Sequence, residues 1–388
     1  MSGYSQFTIY YITFFFFRKE IIFANPSLLC YNTLKTPGAV YCLERLGNGA
    51  KAMTDTHSDP LFERLSAALP GLELRAGEPL SAHSSFRIGG PAEVMACPRK
   101  EAELRALLAF CRSAGIRPRI LGGGTNILAP DGGVEGVVIS TRGLDGIALT
   151  GENQISAGAG VPLARLAVFA QQHGLAGLEF AHGIPGTVGG GLYMNAGAYG
   201  GELVQVAVAA DFLTPEGELR RFDAPAMALG YRHSAFMALE GVIVSGTFRL
   251  TLGDPAEIRA RMRELMEKRR ASQPLELPSA GSTFKRPVGG YAAALIQEAG
   301  LKGFRVGDAA VSEKHAGFVV NLGRATSADV TALIAQVQER VKANSGIELE
   351  PEVRIWTSDK LQVTSNRQAV GAAIGRPQPV EEQEIDRL

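Results

Sequence analysis

Glycine is concentrated at two places in this chain in a way that suits the binding of a phosphate group. The richer run is Gly183-Ile184-Pro185-Gly186-Thr187-Val188-Gly189-Gly190-Gly191, followed by Met194-Asn195-Ala196-Gly197-Ala198-Tyr199-Gly200. So much glycine argues against a helix or strand, and the whole run is expected to be loop. Glycine reaches φ > 0 and leaves the space of a Cβ free, so successive backbone N–H groups can turn inward as a nest for an anion. The pyrophosphate of a nucleotide cofactor is a natural occupant. Taken alone, the stretch also reads as an ordinary glycine-rich surface loop.

The second run, Leu121-Gly122-Gly123-Gly124-Thr125-Asn126-Ile127-Leu128, follows the apolar segment 116–121, which reads as a strand entering a phosphate-binding turn. Neither run fits a common template. Gly122 and Gly124 would need a third glycine at Ile127 to make GxGxxG, and no GxxxxGK[ST] occurs. A nucleotide cradle of another design remains.

Periodicity gives the elements that must position these runs. Leu104, Leu107, Leu108 and Cys111 recur at i, i+3, i+4, i+7 and predict a helix over 100–114, stopped at Gly115. A strand then delivers the first glycine run, and 134–140 reads as another. Pro162 opens a helix whose Leu163, Leu166, Ala167 and Ala170 share a face; it ends at Gly174 and leads to the second run. Strands are predicted over 204–213, 219–222 and 242–252, the first two joined by the turn 214–218. Asp254 before Pro255, with Glu257 following and Lys268, Arg269 and Arg270 at the far end, marks a connecting helix. Beyond the break at 273–275 lie the polar turn 278–287 and a short helix to Gly300 with Leu295 and Ile296 on one face. Apolar stretches at 309–312 and 318–321 follow. Thr326 and Asp329 then cap a helix with Val330, Leu333, Ile334, Val337 and Val341 in one stripe. Residues 347–356 are expected to close the unit as a strand, and the chain from 366 onward shows neither period.

Composition narrows the partners. With 388 residues, 46% hydrophobic and 20% charged, the chain can bury a sizeable core over two or three domains. Lys and Arg balance Asp and Glu at 39 each, so neither nucleic acid nor an anionic membrane is an expected partner, although a local basic pocket for a phosphorylated substrate is compatible. Cys30, Cys42, Cys97 and Cys111 show no CxxC or zinc-ligand spacing, which points to a reducing cytoplasm; the six histidines include no HExxH, and no metal site is assigned.

The first fifty residues differ from the rest. Eleven of the chain's 18 Phe and 9 Tyr residues fall in residues 1–41. The aromatic stretch 7–17 is ended by Arg18, Lys19 and Glu20 well short of the ~20 residues of a membrane span, and no Lys or Arg precedes it as in a secretory signal. An upstream extension of the reading frame over 1–52, with Met53 a natural start, is one reading; a membrane-proximal anchor is the other. Truncation to Met53 is expected to leave solubility and nucleotide-cofactor binding unchanged, and loss of soluble, cofactor-binding protein would reject the first reading.

Six segments in order carry a resemblance. Ser85-Phe86-Arg87-Ile88-Gly89-Gly90, the 122–128 run, the 183–200 run, Tyr231-Arg232-His233-Ser234, Ser279-Ala280-Gly281-Ser282-Thr283-Phe284-Lys285 and Leu349-Glu350-Pro351-Glu352-Val353-Arg354 together make residues 84–355 resemble the UDP-N-acetylenolpyruvoylglucosamine reductase (UDP-N-acetylmuramate dehydrogenase) family of flavoenzymes of peptidoglycan precursor synthesis. The resemblance implies an α+β fold: a vanillyl-alcohol-oxidase-type FAD-binding module of two α+β subdomains, about 59–125 and 126–252, a smaller α+β substrate domain over 254–357, and a tail over 358–388. The short segment between Arg232 and Gly241 leaves no room for the substrate-covering tyrosine loop of one subgroup, so the chain looks like the compact subgroup without it. Arg286 stands before Pro287 where some members carry Asn. Thr125 occupies the place where covalently flavinylated relatives often have His, so FAD is expected to be dissociable.

The family's chemistry is the reduction of an enolpyruvyl ether, with hydride delivered to the terminal vinyl carbon and negative charge left on the carbon bearing the carboxylate. Arg232, carried over from the motif, suits a carboxylate as it becomes enolate-like. Ser282 is the implied proton donor, since even a weak acid can quench a carbanion if geometry is held. Glu352 would orient the proton path. Their plain readings are a structural arginine, a turn serine and an exposed strand glutamate. Gly122, Gly123, Gly124, Thr125 and Asn126, with Gly183, Ile184, Pro185, Gly186, Thr187 and Val188, are the expected FAD contacts; Tyr199, Lys285 and Gln297 are candidates for substrate. NADPH would reduce FAD and leave before the sugar nucleotide enters. An oxygen-using sugar or lactone oxidase on the same fold, and a non-catalytic nucleotide-binding protein, are the alternatives.

Overall fold

Val134–Ser140 is buried at all but one of its seven positions, as befits a central strand covered on both faces. In the computed structural model, which describes residues 60–359, it pairs in parallel with Pro91–Ala96 on one side and Arg119–Leu121 on the other. Leu74–Pro79 adds an antiparallel edge, completing a four-stranded sheet. Val134–Ser140 lies beyond the division expected at 125/126 yet belongs to the first sheet. The expectations for residues 1–52, for Cys30 and Cys42 and for the tail beyond 359 lie outside the described residues.

Glu101–Ser113 covers one face of that sheet with Leu104, Leu107, Leu108 and Cys111, all buried against Val94, Ala96, Val137 and Ile139. Burial pushes the Cys111 thiol up to about 12. Cys111 is therefore expected to stay unmodified when the native protein meets iodoacetamide near pH ~8, because too little thiolate forms there. Peptide mapping checks this, and rapid alkylation would mean that the helix does not hold its seat.

The second sheet is antiparallel throughout, ordered Leu219–Asp223, Ala207–Leu213, Val242–Arg249, Gln154–Gly158, Ile147–Gly151. Leu163–Gln172 lays Leu163, Leu166, Ala167 and Ala170 into its core with Ile155 and Phe248. Two predicted strands are shorter than expected. Residues Leu203–Gln205 form a 3-10 turn closed by the reciprocal capping of Glu202 and Gln205. The 242–252 run divides, and Thr251–Leu252 leaves the sheet to pair with Leu175–Ala176.

A third sheet, ordered Ser279–Ser282, Phe318–Asn321, Ala309–Val311, Arg305–Val306, packs under Ser327–Ser345, whose five predicted stripe residues are all buried. Thr326 and Asp329 cap that helix reciprocally. Asp131, from the loop after the first glycine run, accepts from the amides of Ser327 (2.7 Å) and Ala328 (3.1 Å). A carboxylate at a helix N-terminus satisfies orphan donors and suits the helix dipole. Asp131→Ala is expected to cost about 1–2 kcal/mol, read as a lower urea midpoint; an unchanged midpoint would show that solvent caps the helix equally well.

Two expectations fail for physical reasons. The 183–200 run is not loop throughout, because Val188–Met194 is an α-helix. A Cβ on Gly189 would lie 2.9 Å from Ala159 Cβ, and one on Gly191 would lie 3.0 Å from Leu203 Cδ1. Those glycines let the helix lie close on its neighbours, and buried Val188 and Leu192 anchor it, so packing overrides propensity. Nor is 347–356 one strand; only Arg354–Ile355 is. Pro351 has no N–H to donate, and the segment changes partners between Glu352 and Arg354. Lys285 N donates to Glu350 O and Glu352 N to Thr283 O, whereas Arg354 N donates to Asn126 O.

Candidate active site

Both glycine runs face one cleft of about 1150 Å³, which also receives Tyr199, Arg232, Ser282, Lys285 and Glu352. The runs are interlocked. A Cβ on Gly123 would stand 2.9 Å from Gly186 Cα, and one on Gly122 would stand 2.7 Å from Thr187 Oγ1. Thr125 Oγ1 donates to Pro185 O (3.1 Å). Carbonyls of the first run are tied back: Arg142 Nη2 donates to Gly123 O (3.0 Å), and Ser85 N donates to Gly124 O (3.0 Å). With carbonyls so held, the amide edge is the side left for an anion. The second run is pinned on either side of Thr187, with Leu163 N donating to Gly186 O and Val188 N to Val161 O.

Arg232 sits in a tight turn where Gly230 and His233 exchange backbone hydrogen bonds. Its φ of 51° is left-handed, uncommon for a residue with a Cβ, and marks a position that the surroundings must hold. Buried Ser234 donates from Oγ to Tyr193 O (2.7 Å), and the Asn195 amide donates to Gly230 O (3.0 Å), which ties the turn to the glycine-rich helix. Arg232 Nε donates to Glu352 Oε1 at 2.5 Å, with side-chain exposures of only 21% and 11%. The exposed-strand reading of Glu352 is therefore wrong. Burial pushes its carboxyl above the ordinary range, while Arg232 and, more weakly, Lys285 oppose that shift.

Ser282 ends the strand Ser279–Ser282 rather than lying in a free turn. An irregularity in its pairing with Phe318–Asn321 and a φ of 78° at Gly281 re-aim the strand end toward the cleft. Among the described residues its hydroxyl has no hydrogen-bond partner. The backbone next to it, at Thr283, receives Glu352 N (2.8 Å), which brings the serine and glutamate segments together. Lys285 Nζ is 2.5 Å from Glu350 Oε1 at the cleft wall, and Tyr199 is 41% exposed there.

Three expected residues are not in the cleft wall. Gln297 lines a separate cavity of about 320 Å³ with Lys302, Lys314 and His315. Val188 is wholly buried as core, and Gly183 lies beneath the Arg269 side chain, 3.2 Å from where its Cβ would be. Sequence reasoning missed Arg269 and Gln273. Both line the cleft, and Arg269 Nε, Gln273 Oε1 and Thr187 Oγ1 are buried there without a partner among the described residues. Burial holds the Arg269 guanidinium below its ordinary range, and no described carboxylate pairs with it. Arg269 looked like a helix-end charge, and only tertiary packing turns it inward. Arg354 was quoted in a motif without a role; it lines the cleft and donates to Tyr193 OH (2.9 Å). No group of three His, Cys, Asp or Glu side chains among the described residues is placed to hold a metal ion.

A glycine cradle with orphaned buried donors and acceptors, opening onto an arginine fork, suits an enzyme that holds a nucleotide cofactor beside an anionic substrate. Residues 92–223 match an FAD binding domain, and residues 273–356 match the UDP-N-acetylenolpyruvoylglucosamine reductase C-terminal domain. A curated UDP-N-acetylenolpyruvoylglucosamine reductase of Levilactobacillus brevis is 45% identical over 291 residues, covering 75% of this chain and 95% of its own length. One of Streptococcus thermophilus is 45% identical over 301 residues, 78% of this chain and 98% of its own. The crystal structure of the Thermus caldophilus reductase superposes with a TM-score of 0.64 at 34% identity, covering 74% of this chain and 99% of that one. The chain belongs to the UDP-N-acetylenolpyruvoylglucosamine reductase family.

Proposed function

We propose that the chain catalyses NADPH-dependent, FAD-mediated reduction of the enolpyruvyl ether of UDP-N-acetylglucosamine enolpyruvate to UDP-N-acetylmuramate, a step of peptidoglycan precursor synthesis in the cytoplasm. The observation that carries this is the buried Arg232–Glu352 pair facing the same cleft as Ser282 and both glycine runs. No helix among the described residues is long and apolar enough to cross a membrane.

The residues present fit FAD. Gly122, Gly123, Gly124, Thr125 and Asn126, with Ile184, Pro185, Gly186 and Thr187, would hold its pyrophosphate and ribityl chain, and Thr187 Oγ1, Arg269 Nε and Gln273 Oε1 are orphaned polar atoms facing its space. Bound there, FAD would supply hydride transfer between NADPH and the substrate. Arg232 binds the substrate carboxylate and stabilises charge developing on it, in a site dry enough for that charge to matter. Ser282 Oγ donates a proton to the carbon bearing the carboxylate. Glu352 orients that transfer, and Tyr199 and Lys285 contact the sugar nucleotide.

The test is a visible spectrum of the holoenzyme during NADPH titration without oxygen, followed by addition of the enolpyruvyl substrate. Bleaching and then recovery of the flavin band by the substrate is expected. Recovery by oxygen alone would favour an oxidase, and a protein that stays colourless after refolding with FAD would be a non-catalytic binder.

A further inference from the structure

We propose that the Arg232–Glu352 ion pair is exchanged by substrate: a ligand carboxylate takes the Arg232 fork, and Glu352, left buried without its cation, takes one proton from solvent and holds it for the reaction. This rests on the functional reading above and goes further, because it assigns the proton that the reduction consumes to the binding step.

The geometry sets up a competition. A carboxylate gripped side-on by an arginine engages Nε together with one terminal nitrogen. Glu352 Oε1 already sits on that Nε, at 2.5 Å. A substrate carboxylate bound in that way must displace it. Little else faces Glu352 that would hold its charge. From the segment after Ser282 comes Lys285, whose Nζ is tied to Glu350 Oε1 at 2.5 Å. From the first glycine run comes Asn126, which is neutral and donates its amide to the Glu352 backbone oxygen (3.2 Å). On Glu352's own segment, Glu350 is a second carboxylate and Arg354 is turned to Tyr193 OH (2.9 Å). Arg232 is thus the only cation hydrogen-bonded to the Glu352 carboxylate among the described residues. Burial already favours the neutral form, against the opposing pull of Arg232. When the substrate takes that guanidinium, the remaining influence is desolvation, reinforced by a second carboxylate close by.

The protons balance. Reduction of the vinyl group adds one hydride, from NADPH by way of FAD, and one proton. The Ser282 O–H breaks as the new C–H bond forms, and the Glu352 O–H breaks as the Ser282 O–H reforms. Glu352 is left ionised, and when product departs it pairs again with Arg232. The pair therefore resets once per turnover.

Isothermal calorimetry of the oxidised holoenzyme in buffers of different ionisation enthalpy reads the coupling. UDP-N-acetylmuramate carries the carboxylate, and UDP-N-acetylglucosamine is the control without one. The first ligand is expected to bind with net uptake of up to one proton and the second with none. The sign follows from the direction of the change. A ligand that raises the Glu352 midpoint takes up a proton between the free and bound midpoints, so its affinity falls as pH rises through that window. Uptake vanishes at lower pH, where Glu352 is already protonated. Glu352→Gln is expected to bind UDP-N-acetylmuramate without uptake, and Arg232→Met to lose the uptake as well, since its Glu352 is protonated beforehand. UDP-N-acetylmuramate binding without proton uptake at any pH, or with the same uptake in Glu352→Gln, would overturn the exchange while leaving the functional reading intact. Failure of the holoenzyme to bind either nucleotide would overturn both.

Discussion

Ser282→Ala is expected to leave the bleaching of bound flavin by NADPH near its normal rate and to slow recovery of the flavin band by the enolpyruvyl substrate by about 10²–10³, the range for a lost positioned acid. The two half-reactions separate because hydride arrival at FAD needs no proton from the protein, whereas hydride departure to the substrate creates a carbanion that must be quenched. Ser282 stands at a strand end re-aimed by the irregularity at Gly281, and no group among the described residues holds its hydroxyl. Removing Oγ should therefore disturb little of the fold. Ser282→Cys is expected to recover part of the loss, since a thiol is a stronger acid in nearly the same place. Stopped-flow measurement of each half-reaction decides. Equal slowing of both would make Ser282 a residue that shapes the flavin site, and an unchanged second half-reaction would remove it from the mechanism.

Gly123→Val is expected to weaken FAD binding by about ten- to hundredfold, from a local displacement costing about 1–3 kcal/mol. The cause is not the one glycine content suggests. A Cβ at residue 123 would lie 2.9 Å from Gly186 Cα, so it pries apart the two glycine runs before it meets any ligand. Backbone on the far side cannot swing away as a side chain end could. Gly146→Ala is the control, because a Cβ there meets nothing within 4 Å, and it should keep full flavin. Flavin content after gel filtration and the Kd for FAD test both variants. Full, tight occupancy in Gly123→Val would show that the seam between the runs does not form the cradle.

Much of the scaffold was legible in the sequence because it rests on local rules. The helix stripe of Leu104, Leu107, Leu108 and Cys111 is a 3.6-residue period, and it was found buried. The capping of Ser327–Ser345 by Thr326 and Asp329 is a short-range pairing with its own signature. Val134–Ser140 is the strand expected at those residues, and the apolar stretch Phe318–Asn321 is a strand as well. Motif order across residues 84–355 pointed to the family without reference to geometry.

Other features depend on residues far apart in the chain, and tertiary structure alone decided them. The glycine-rich Val188–Met194 is helical because buried Val188 and Leu192 anchor it in the core, with glycine where Ala159 and Leu203 lie too close for a side chain; propensity, a local quantity, pointed the other way. Glu352 is buried because residues 283–285 and 126–128 close on its segment from two sides, although nothing in its neighbours separates it from a surface glutamate. Arg269 belongs by pattern to a helix end, yet packing over Gly183 turns it into the cleft without a counterion among the described residues. Gln297, placed with the substrate by sequence, faces a different cavity. Sequence thus determined which elements form and to which family they belong, since periodicity, caps and motifs act over a few residues. Tertiary structure decided which side chains share the cleft and which of them are paired, since burial and pairing there are set by chain segments more than one hundred residues apart, as between Arg232 and Glu352.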